Sequence, residues 1–551
     1  MSPPNVPIRF FWLALAAIVV ALSWAALSGE FIYDDRALPV HPFLDGRDDL
    51  LAALGRNSAD YLDQADEVAV RSTATWRPLS MLSLLLVQAT LGPMPFAHHL
   101  LSLALHALVV ALLALALRQR GASAATQMLI AAAVALHPAL GEAWLWINGR
   151  SDLLAGVFLV ALAVNLGRSG AGTRRGVREA LSVVLLVGGA LSKETFLPAA
   201  LCLVLAEAVG ARQLPAQPDG AENPRTGGRR ALALWFVAAV VFWFGRAATL
   251  GPAQPVLGGG GLPGPEKLLA RGPDLVGLGI EALFVPQARG MRFLAWEFAG
   301  AAPAWGILAV MLVLGGAGAL ALRGQHRRAL LVLGAAGTLL PAGLVGDAFW
   351  LGFDRYLYLP ALLLALAVAD ANRLPRPIWA AGAVGLSLCA WGLAGTAATY
   401  ASPAEFALGM ATLRPDDPTG ALLAAREAGD AGHPEAALAL LEARPMTSGR
   451  PVPAALTHQL AATYLVAGRS DRAAALIEAA AEAHPRDGNL MFDLFILRMS
   501  QRRADDALAL AEHLLADPAR REPTRAQLAR WAADPRLPEA LRSRCASLAG
   551  P

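Results

Sequence analysis

Eleven long apolar segments in the first four hundred residues constrain what this chain can fold into more than any other feature. A run of about 17–25 predominantly apolar residues is long enough to cross the hydrocarbon core of a bilayer as an α-helix. Only 16% of the 551 residues are charged, against about 25% in average soluble chains. The sequence therefore predicts an all-α, polytopic membrane protein. The segments lie near residues 9–28, 97–117, 123–140, 151–167, 179–193, 195–210, 231–249, 303–322, 329–346, 356–370 and 378–399.

The arginines between these segments predict the orientation of the chain. Short cytoplasmic loops carry the excess of Lys and Arg, and here basic residues occupy every second connection. Arg9 precedes the first segment, which we interpret as a retained helix, so the amino terminus is predicted to be cytoplasmic and residues after 400 outside. Two shorter apolar stretches, 79–91 and 274–286, are predicted to be interfacial or re-entrant. The basic connections contain Arg118, Arg120, Arg168, Arg174, Arg175, Arg178, Arg212, Arg225, Arg229, Arg230, Arg323, Arg327, Arg328, Arg373 and Arg376.

The first outside connection, residues 29–78, is long and acidic. It carries ten acidic residues and five arginines. Adjacent carboxylates, Asp34 and Asp35, follow the aromatic residue Tyr33 close to the end of the first segment. Long ordered loops are more often functional than idle, so the sequence predicts a catalytic loop here.

After Tyr400 the long apolar runs give way to amphipathic, Ala- and Leu-rich helices. Similar turn sequences begin at Gly432, Gly468 and Gln501, and Pro485 and Pro518 close two of the units. A period near 34 residues with paired small-residue helices is typical of tetratricopeptide repeats. The pattern predicts a membrane domain over 1–400 and a tetratricopeptide-like α-solenoid over 401–551, with a generic helical bundle as the alternative.

Polar residues gather at the predicted outside ends of the apolar segments. Ionisable groups at membrane depth are costly and by default mark a functional site. Taken singly, each has a structural explanation: Lys193–Glu194 as an interfacial pair, His106 as a core histidine, Arg355 as a snorkelling anchor. Their convergence on one side predicts a site with acid chemistry and a place for an anion. The set comprises Arg77, His99, His106, His137, Glu142, Arg150, Asp152, Lys193, Glu194, Arg355 and Tyr356.

Several of these stretches resemble one family in order along nearly the whole chain. They are Phe31–Asp35, Arg77–Ser80, His99 to His106, His137 to Leu154, Ser192–Glu194 and Arg355–Pro360. The chain looks like the transmembrane and tetratricopeptide-repeat glycosyltransferases, which are O-mannosyltransferase-like members of the GT-C superfamily. The resemblance implies a hexosyltransferase that moves a sugar from a polyprenyl-phosphate donor to a hydroxyl acceptor, on a protein, at the outer face of the membrane.

Residue chemistry agrees with that reaction. Asp34 or Asp35 could take the proton of the acceptor hydroxyl. Arginine binds phosphate oxygens in pairs, so Arg355 is expected to bind the donor phosphate, with Arg150 and Lys193 as the next candidates. Orienting roles fall to Arg77, His99, His106, His137, Glu142, Asp152, Glu194 and Tyr356. The acidic pair could hold a divalent metal ion, but a monophosphate leaving group does not require one and no metal is assigned.

Two other classes of protein stay open: a transporter or flippase of a lipid-linked sugar, and a membrane-anchored repeat protein that docks partners. Expected partners are membrane lipid, the lipid-linked sugar and a protein bound by the repeats; nothing in the net charge of +3 indicates nucleic acid. The three distant cysteines support neither a disulfide framework nor a metal site. Abundant Ala, Gly, Leu and Arg with little Lys favours a bacterial inner membrane, which would make the outside the periplasm.

Overall fold

A computed structural model describes most of the chain. It covers residues 8–39, 75–167, 175–212, 224–250, 265–292, 303–345, 353–368, 376–413, 468–485, 487–517 and 520–550, with Gly55 and a few scattered residues between 422 and 465. Residues 40–54 and 56–74 of the predicted catalytic loop lie outside this set. So do the repeat signature at 432–435, Pro518, and the loop residues Arg168, Arg174 and Arg373.

Helices make up all the regular structure of the described residues, and no strand occurs among them, so the predicted all-α class is confirmed. In the membrane-type part they are α1 Ile8–Leu22, α2 Trp24–Leu27, α3 Pro78–Leu91, α4 Pro95–Gln119, α5 Ala124–Leu136, α6 Pro138–Leu145, α7 Arg150–Leu166, α8 Arg175–Ser192, α9 Phe196–Arg212, α10 Pro224–Leu250, α11 Pro265–Phe284, α12 Pro303–Leu322, α13 His326–Gly337, α14 Leu340–Val345, α15 Tyr358–Val368, α16 Arg376–Thr399 and α17 Pro403–Leu413. Short 3-10 turns lie at Tyr33–Ala37, Ile147–Gly149 and Asp354–Leu357.

Every apolar segment predicted from the sequence coincides with helical residues. Among the described residues, five helices are long and apolar enough to cross a bilayer, and a sixth span results if α5 and α6 are counted together. Large apolar side chains such as Phe236, Phe244 and Met311 point outward from these helices, as expected for helices that contact lipid. The chain is therefore a membrane-type helical protein, whereas the full count of eleven crossings stays a prediction.

Three segments differ in detail from the sequence prediction. The segment near 123–140 bends by 61° at His137 between α5 and α6, because Pro138 supplies no N–H to continue the helix. The segment at 329–346 divides into α13 and α14, with Pro341 in the first turn of the second helix. The stretch at 274–286 ends a longer helix, α11, which contains Pro273.

The bent pair lies at the centre of the packing. α6 packs against α16 and against the 3-10 turn Asp354–Leu357, while α7 packs against α4, α8 and α15. This packing brings the ends of distant segments together around Glu142 and Arg150.

The chain folds into two compact units, Met1–Gly409 and Met410–Pro551. In the second unit the described helices are α18 Ser470–Ala483, α19 Gly488–Ser500, α20 Ala504–Ala516, α21 Arg521–Ala533 and α22 Glu539–Ala549. α20 begins 34 residues after α18, and α21 begins 33 residues after α19. Phe495, Leu508 and Leu528 are among its buried core residues. The helix spacing fits the predicted period, and the solenoid itself stays a prediction.

Candidate functional site

The acidic pair lies on a loop that is fixed close to where it leaves the first helices. The backbone N–H of Glu30 donates to the carbonyl of Ala401 at 2.9 Å, and a Cβ on Gly29 would come within 2.3 Å of that oxygen. Tyr33 has a φ of 48°, a left-handed conformation that bulky residues rarely adopt. Its ring packs 6.0 Å from Trp146 and 5.8 Å from Phe406. The strained residue directly before Asp34 is thus held by aromatic contacts, as often occurs at functional sites.

Asp35 binds the turn that follows α6. Its Oδ2 accepts from the backbone N–H of Ile147 at 3.0 Å and its Oδ1 from that of Asn148 at 2.9 Å. The side chain is fully buried. The turn ends at Gly149, where a Cβ would lie 2.7 Å from the carbonyl oxygens of Glu142 and Ala143. Asp35 therefore fixes the first loop to this turn.

Asp34 is placed differently. It is only partly buried, and its hydrogen-bond contact with the side-chain amide of Asn148 is a long one, 3.5 Å from Oδ2. Burial raises the pKa of Asp34 to about 6, although the Arg355 charge and the Asn148 amide oppose that shift. A carboxylate with a pKa near the ambient pH is suited to accept a proton.

Arg355 lies between two aromatic rings. Its Cζ is 4.6 Å from the ring centroid of Trp146 and 5.5 Å from that of Tyr356. The side chain is 5% exposed, and its Nε has no hydrogen-bond partner in the described part of the chain. Among the described residues it forms no ion pair. A buried guanidinium in this state is a candidate site for an anion that the protein does not itself supply.

The two other predicted phosphate-binding residues are already bonded within the protein. Arg150 donates to the carbonyls of Ser83 at 3.1 Å and His98 at 2.8 Å, and so fastens α3 and α4 to α7. The Lys193 Nζ lies 2.6 Å from both carboxylate oxygens of Asp152. Arg150 and Lys193 therefore already have partners within the protein, whereas Arg355 has no ion-pair partner among the described residues.

Arg77 and Glu194 form a second ion pair, at the other end of the first loop. Two hydrogen bonds join them, at 2.9 and 2.5 Å. Burial alone would raise the pKa of Glu194, but the Arg77 guanidinium outweighs burial and lowers it to about 2. The pair therefore stays charged at neutral pH and fixes Arg77, at the start of α3, to the α8–α9 junction.

The predicted histidines and the last acid have distinct environments. His106 shares a 2.8 Å hydrogen bond with the Tyr358 hydroxyl and stacks on Trp144. His137 caps α6, because its Nδ1 accepts from the N–H of Ala139 at 3.2 Å. His99 and Glu142 are both buried. Within the described ranges, neither the ring nitrogens of His99 nor the carboxylate oxygens of Glu142 have a hydrogen-bond partner.

The structure adds residues that the sequence prediction did not select. Asp354 Oδ1 accepts from Arg292 Nη2 at 2.6 Å and from Arg292 Nε at 2.7 Å. Its Oδ2 lies 3.5 Å from Arg289 Nη1, within ion-pair distance. Trp146 packs against the Arg355 guanidinium, and the backbone N–H of Asn148 donates to Asp35. The two arginines could have been noticed, since they fall in a predicted outside connection, contrary to the charge rule. Within the described ranges, no group of three or more His, Cys, Asp or Glu side chains is arranged to hold a metal ion.

Comparison with known proteins gives partial matches to one group of enzymes. Over 159 residues the chain is 29% identical to the mouse protein O-mannosyl-transferase TMTC3, a match that covers 28% of this chain and 16% of the relative. Over 209 residues it is 29% identical to the Drosophila melanogaster protein O-mannosyl-transferase Tmtc1, covering 38% and 23%. The human TMTC3 protein matches at 28% over 159 residues.

These matches span less than a quarter of the length of those relatives. No family model matches the chain, and no solved structure matches it. The similarity to enzymes named as protein O-mannosyl-transferases supports a glycosyltransferase, while donor and acceptor are left to chemical argument.

Proposed function

We propose that this protein is a GT-C-like membrane glycosyltransferase that moves a hexose from a polyprenyl-phosphate donor to a hydroxyl group on a protein. One observation carries the proposal: Arg355, buried and without an ion pair among the described residues, lies within electrostatic range of Asp34, a partly exposed carboxyl whose pKa is about 6. An anion site beside a proton acceptor is what transfer from a phosphate ester to a hydroxyl requires. The named relatives are consistent with this reaction.

In the proposed reaction Asp34 is the general base. It takes the proton of the acceptor hydroxyl as the oxygen attacks the anomeric carbon of the sugar. The bond between that carbon and the phosphate oxygen breaks, and the polyprenyl monophosphate leaves with the bonding electrons. Arg355 stabilises the negative charge of that leaving group through its planar N–H fork. Asp34 then returns its proton to solvent.

Asp35 holds the base in place. Its two backbone hydrogen bonds to residues 147 and 148 fix the loop relative to the turn that carries Trp146. Because Trp146 also lies against Arg355, one turn sets the distance between the proton acceptor and the anion site. Positioning of this kind supplies much of the barrier reduction in bimolecular transfers.

Purified full-length protein with defined substrates tests the proposal. The donors are undecaprenyl-phosphate mannose and undecaprenyl-phosphate glucose, and the acceptors are Ser- and Thr-containing peptides or a membrane extract. We expect one hexose to be added to an acceptor, seen by mass spectrometry, with release of undecaprenyl phosphate. If the protein instead moves intact donor across proteoliposome membranes without consuming it, the transporter class is correct.

The proposed topology places the amino terminus in the cytoplasm of a bacterium and the second unit in the periplasm. We expect alkaline phosphatase fused after Tyr400 to be active, because this enzyme folds only after export to an oxidising compartment. A fusion after Arg323, in a predicted cytoplasmic loop, is the matched control and should be inactive. The opposite pattern would contradict the eleven-segment topology and the location of the repeats.

The tetratricopeptide-like repeats are proposed to recruit the protein acceptor. A chain ending after Leu413 keeps Phe406, whose ring contacts Tyr33 and Tyr400. We expect this truncated enzyme to bind donor and hydrolyse it slowly, but to lose modification of its native acceptor, since stacked helical repeats provide binding surface rather than catalytic groups. Acceptor modification at the full rate by the truncated enzyme would show that the repeats do not recruit it.

A further inference from the structure

Glu142 is a buried carboxyl whose described neighbours leave it unsatisfied. It lies on α6, is 2% exposed, and has no hydrogen bond at either oxygen from the part of the chain that the structure describes. Buried polar groups are almost always hydrogen-bonded, so an exception calls for an explanation such as a ligand. Glu142 has no use in the proton transfer or in phosphate binding proposed above.

The charged groups nearest to Glu142 do not satisfy it. Asp354 and Arg355 both act on it electrostatically, but Asp354 is already bonded to Arg292 through Nε and Nη2. Arg355 stacks on Trp146 and makes no ion pair with any described residue. The carboxyl therefore lies beside the anion site with both oxygens able to accept hydrogen bonds from a molecule that enters it.

Two hydrogen-bond donors, on Trp146 and Tyr400, belong to the same region as Arg355 and Glu142. The indole Nε1 of Trp146 is buried and has no partner among the described residues. The side chain of Tyr400 is 1% exposed, and its hydroxyl lies within electrostatic range of Glu142, Arg355 and Asp35. Two acceptor oxygens, an indole N–H and a phenol hydroxyl next to aromatic rings can pair with several hydroxyl groups at once.

We propose that Glu142, together with Trp146 Nε1 and the Tyr400 hydroxyl, binds the sugar ring of the donor, with the carboxyl group hydrogen-bonded to two adjacent ring hydroxyls. This inference rests on the proposed function and specifies its substrate: a hexose with two free neighbouring hydroxyls. A site that hydrogen-bonds a substrate hydroxyl strongly rejects the analogue that lacks it, because the protein group is then left unpaired. Donors deoxygenated at one of those positions are therefore poor substrates.

The test combines protein variants with modified donors. The probes are farnesyl-phosphate mannose and its 2-, 3-, 4- and 6-deoxy forms, and turnover is followed by release of farnesyl phosphate. Wild-type protein is expected to lose about tenfold to a hundredfold in kcat/KM for at least one deoxy donor, the usual effect of leaving a buried polar group without its hydrogen bond. The Glu142→Gln variant is expected to lose a similar factor in kcat/KM with the parent donor, mainly through a higher KM. Replacing the parent donor by that deoxy donor should then lower its kcat/KM little further.

Trp146→Phe and Tyr400→Phe each remove one hydrogen-bond donor of the protein and keep an aromatic ring. Each is expected to raise KM for the parent sugar donor and to reduce the penalty for a different deoxy form. Glu405→Gln, at an exposed position on α17, is the matched control and should behave as wild type. A Glu142→Gln enzyme with unchanged kinetics, or with an undiminished penalty for every deoxy donor, would overturn the sugar-binding role alone. Wild-type protein that consumes neither this donor nor the undecaprenyl donors would overturn the proposed function and this inference together.

Discussion

Turnover of the Asp34→Asn variant is expected to fall by about 10²–10⁴-fold, the usual contribution of a positioned general base. Asparagine has nearly the same volume but cannot accept the proton of the acceptor hydroxyl. Donor binding should survive, because removing the negative charge of Asp34 does not weaken the attraction of Arg355 for a phosphate. Single-turnover transfer measured beside donor affinity separates the two effects. An Asp34→Asn enzyme with full activity would refute the assignment.

The pH dependence follows from the same residue. A base acts only when deprotonated, and burial raises the pKa of Asp34 to about 6. The rate is therefore expected to fall as the pH drops through about 6 and to level off above it. The Asp34→Asn enzyme should lack that acidic limb in its residual activity.

Asp35→Asn supplies the comparison between the two aspartates. The Asp35 carboxylate accepts two backbone N–H groups, so the amide substitution should misplace the loop and lower stability as well as rate. A variant that loses only rate, with an unchanged melting temperature, would transfer the role of base to Asp35.

Arg355→Ala is expected to weaken donor binding by about tenfold to a hundredfold, since hydrogen bonds to charged groups contribute about 1.5–3 kcal/mol. Arg355→Lys should lie between wild type and alanine. Lysine keeps the charge but loses the planar fork and the stacking that Trp146 and Tyr356 provide. Equilibrium binding of undecaprenyl-phosphate mannose in detergent measures both.

Arg323→Ala removes an exposed arginine between α12 and α13 and serves as the control for net charge. If Arg355→Ala binds donor as tightly as wild type, the phosphate site must involve Arg150 or Lys193. Those residues would then have to exchange their bonds to His98 and Asp152 for bonds to the phosphate.

The helix positions could be predicted from the sequence because each apolar run is long and bounded by charged or polar residues. The interruptions were harder to predict. The bend at His137 and the break before Leu340 depend on Pro138 and Pro341. A hydropathy profile does not detect the loss of a single backbone N–H. A helix count by hydropathy therefore merges pieces that the backbone separates.

The set of site residues could be selected from topology, but their individual partners could not. Arg150, Lys193 and Arg355 look equivalent in the sequence. Only the fold shows that Arg150 reaches Ser83 and His98 on other helices, and that Arg355 pairs with no acid among the described residues. Which cation can bind the donor phosphate depends on partners that are distant in the sequence. The spacing of residues along one segment does not predict those partners.

The hydrogen bond between Glu30 and Ala401 has a consequence for synthesis. A ribosome makes the acidic loop early, whereas Ala401 is made late, directly after α16, the helix that packs against α2. The nascent chain therefore carries Asp34 for most of the translation of the first unit without the Ala401 contact at the start of its loop. We therefore expect fragments that end before Ala401 to be inactive toward donor in the same membrane, and activity to begin only when insertion of the first unit is complete.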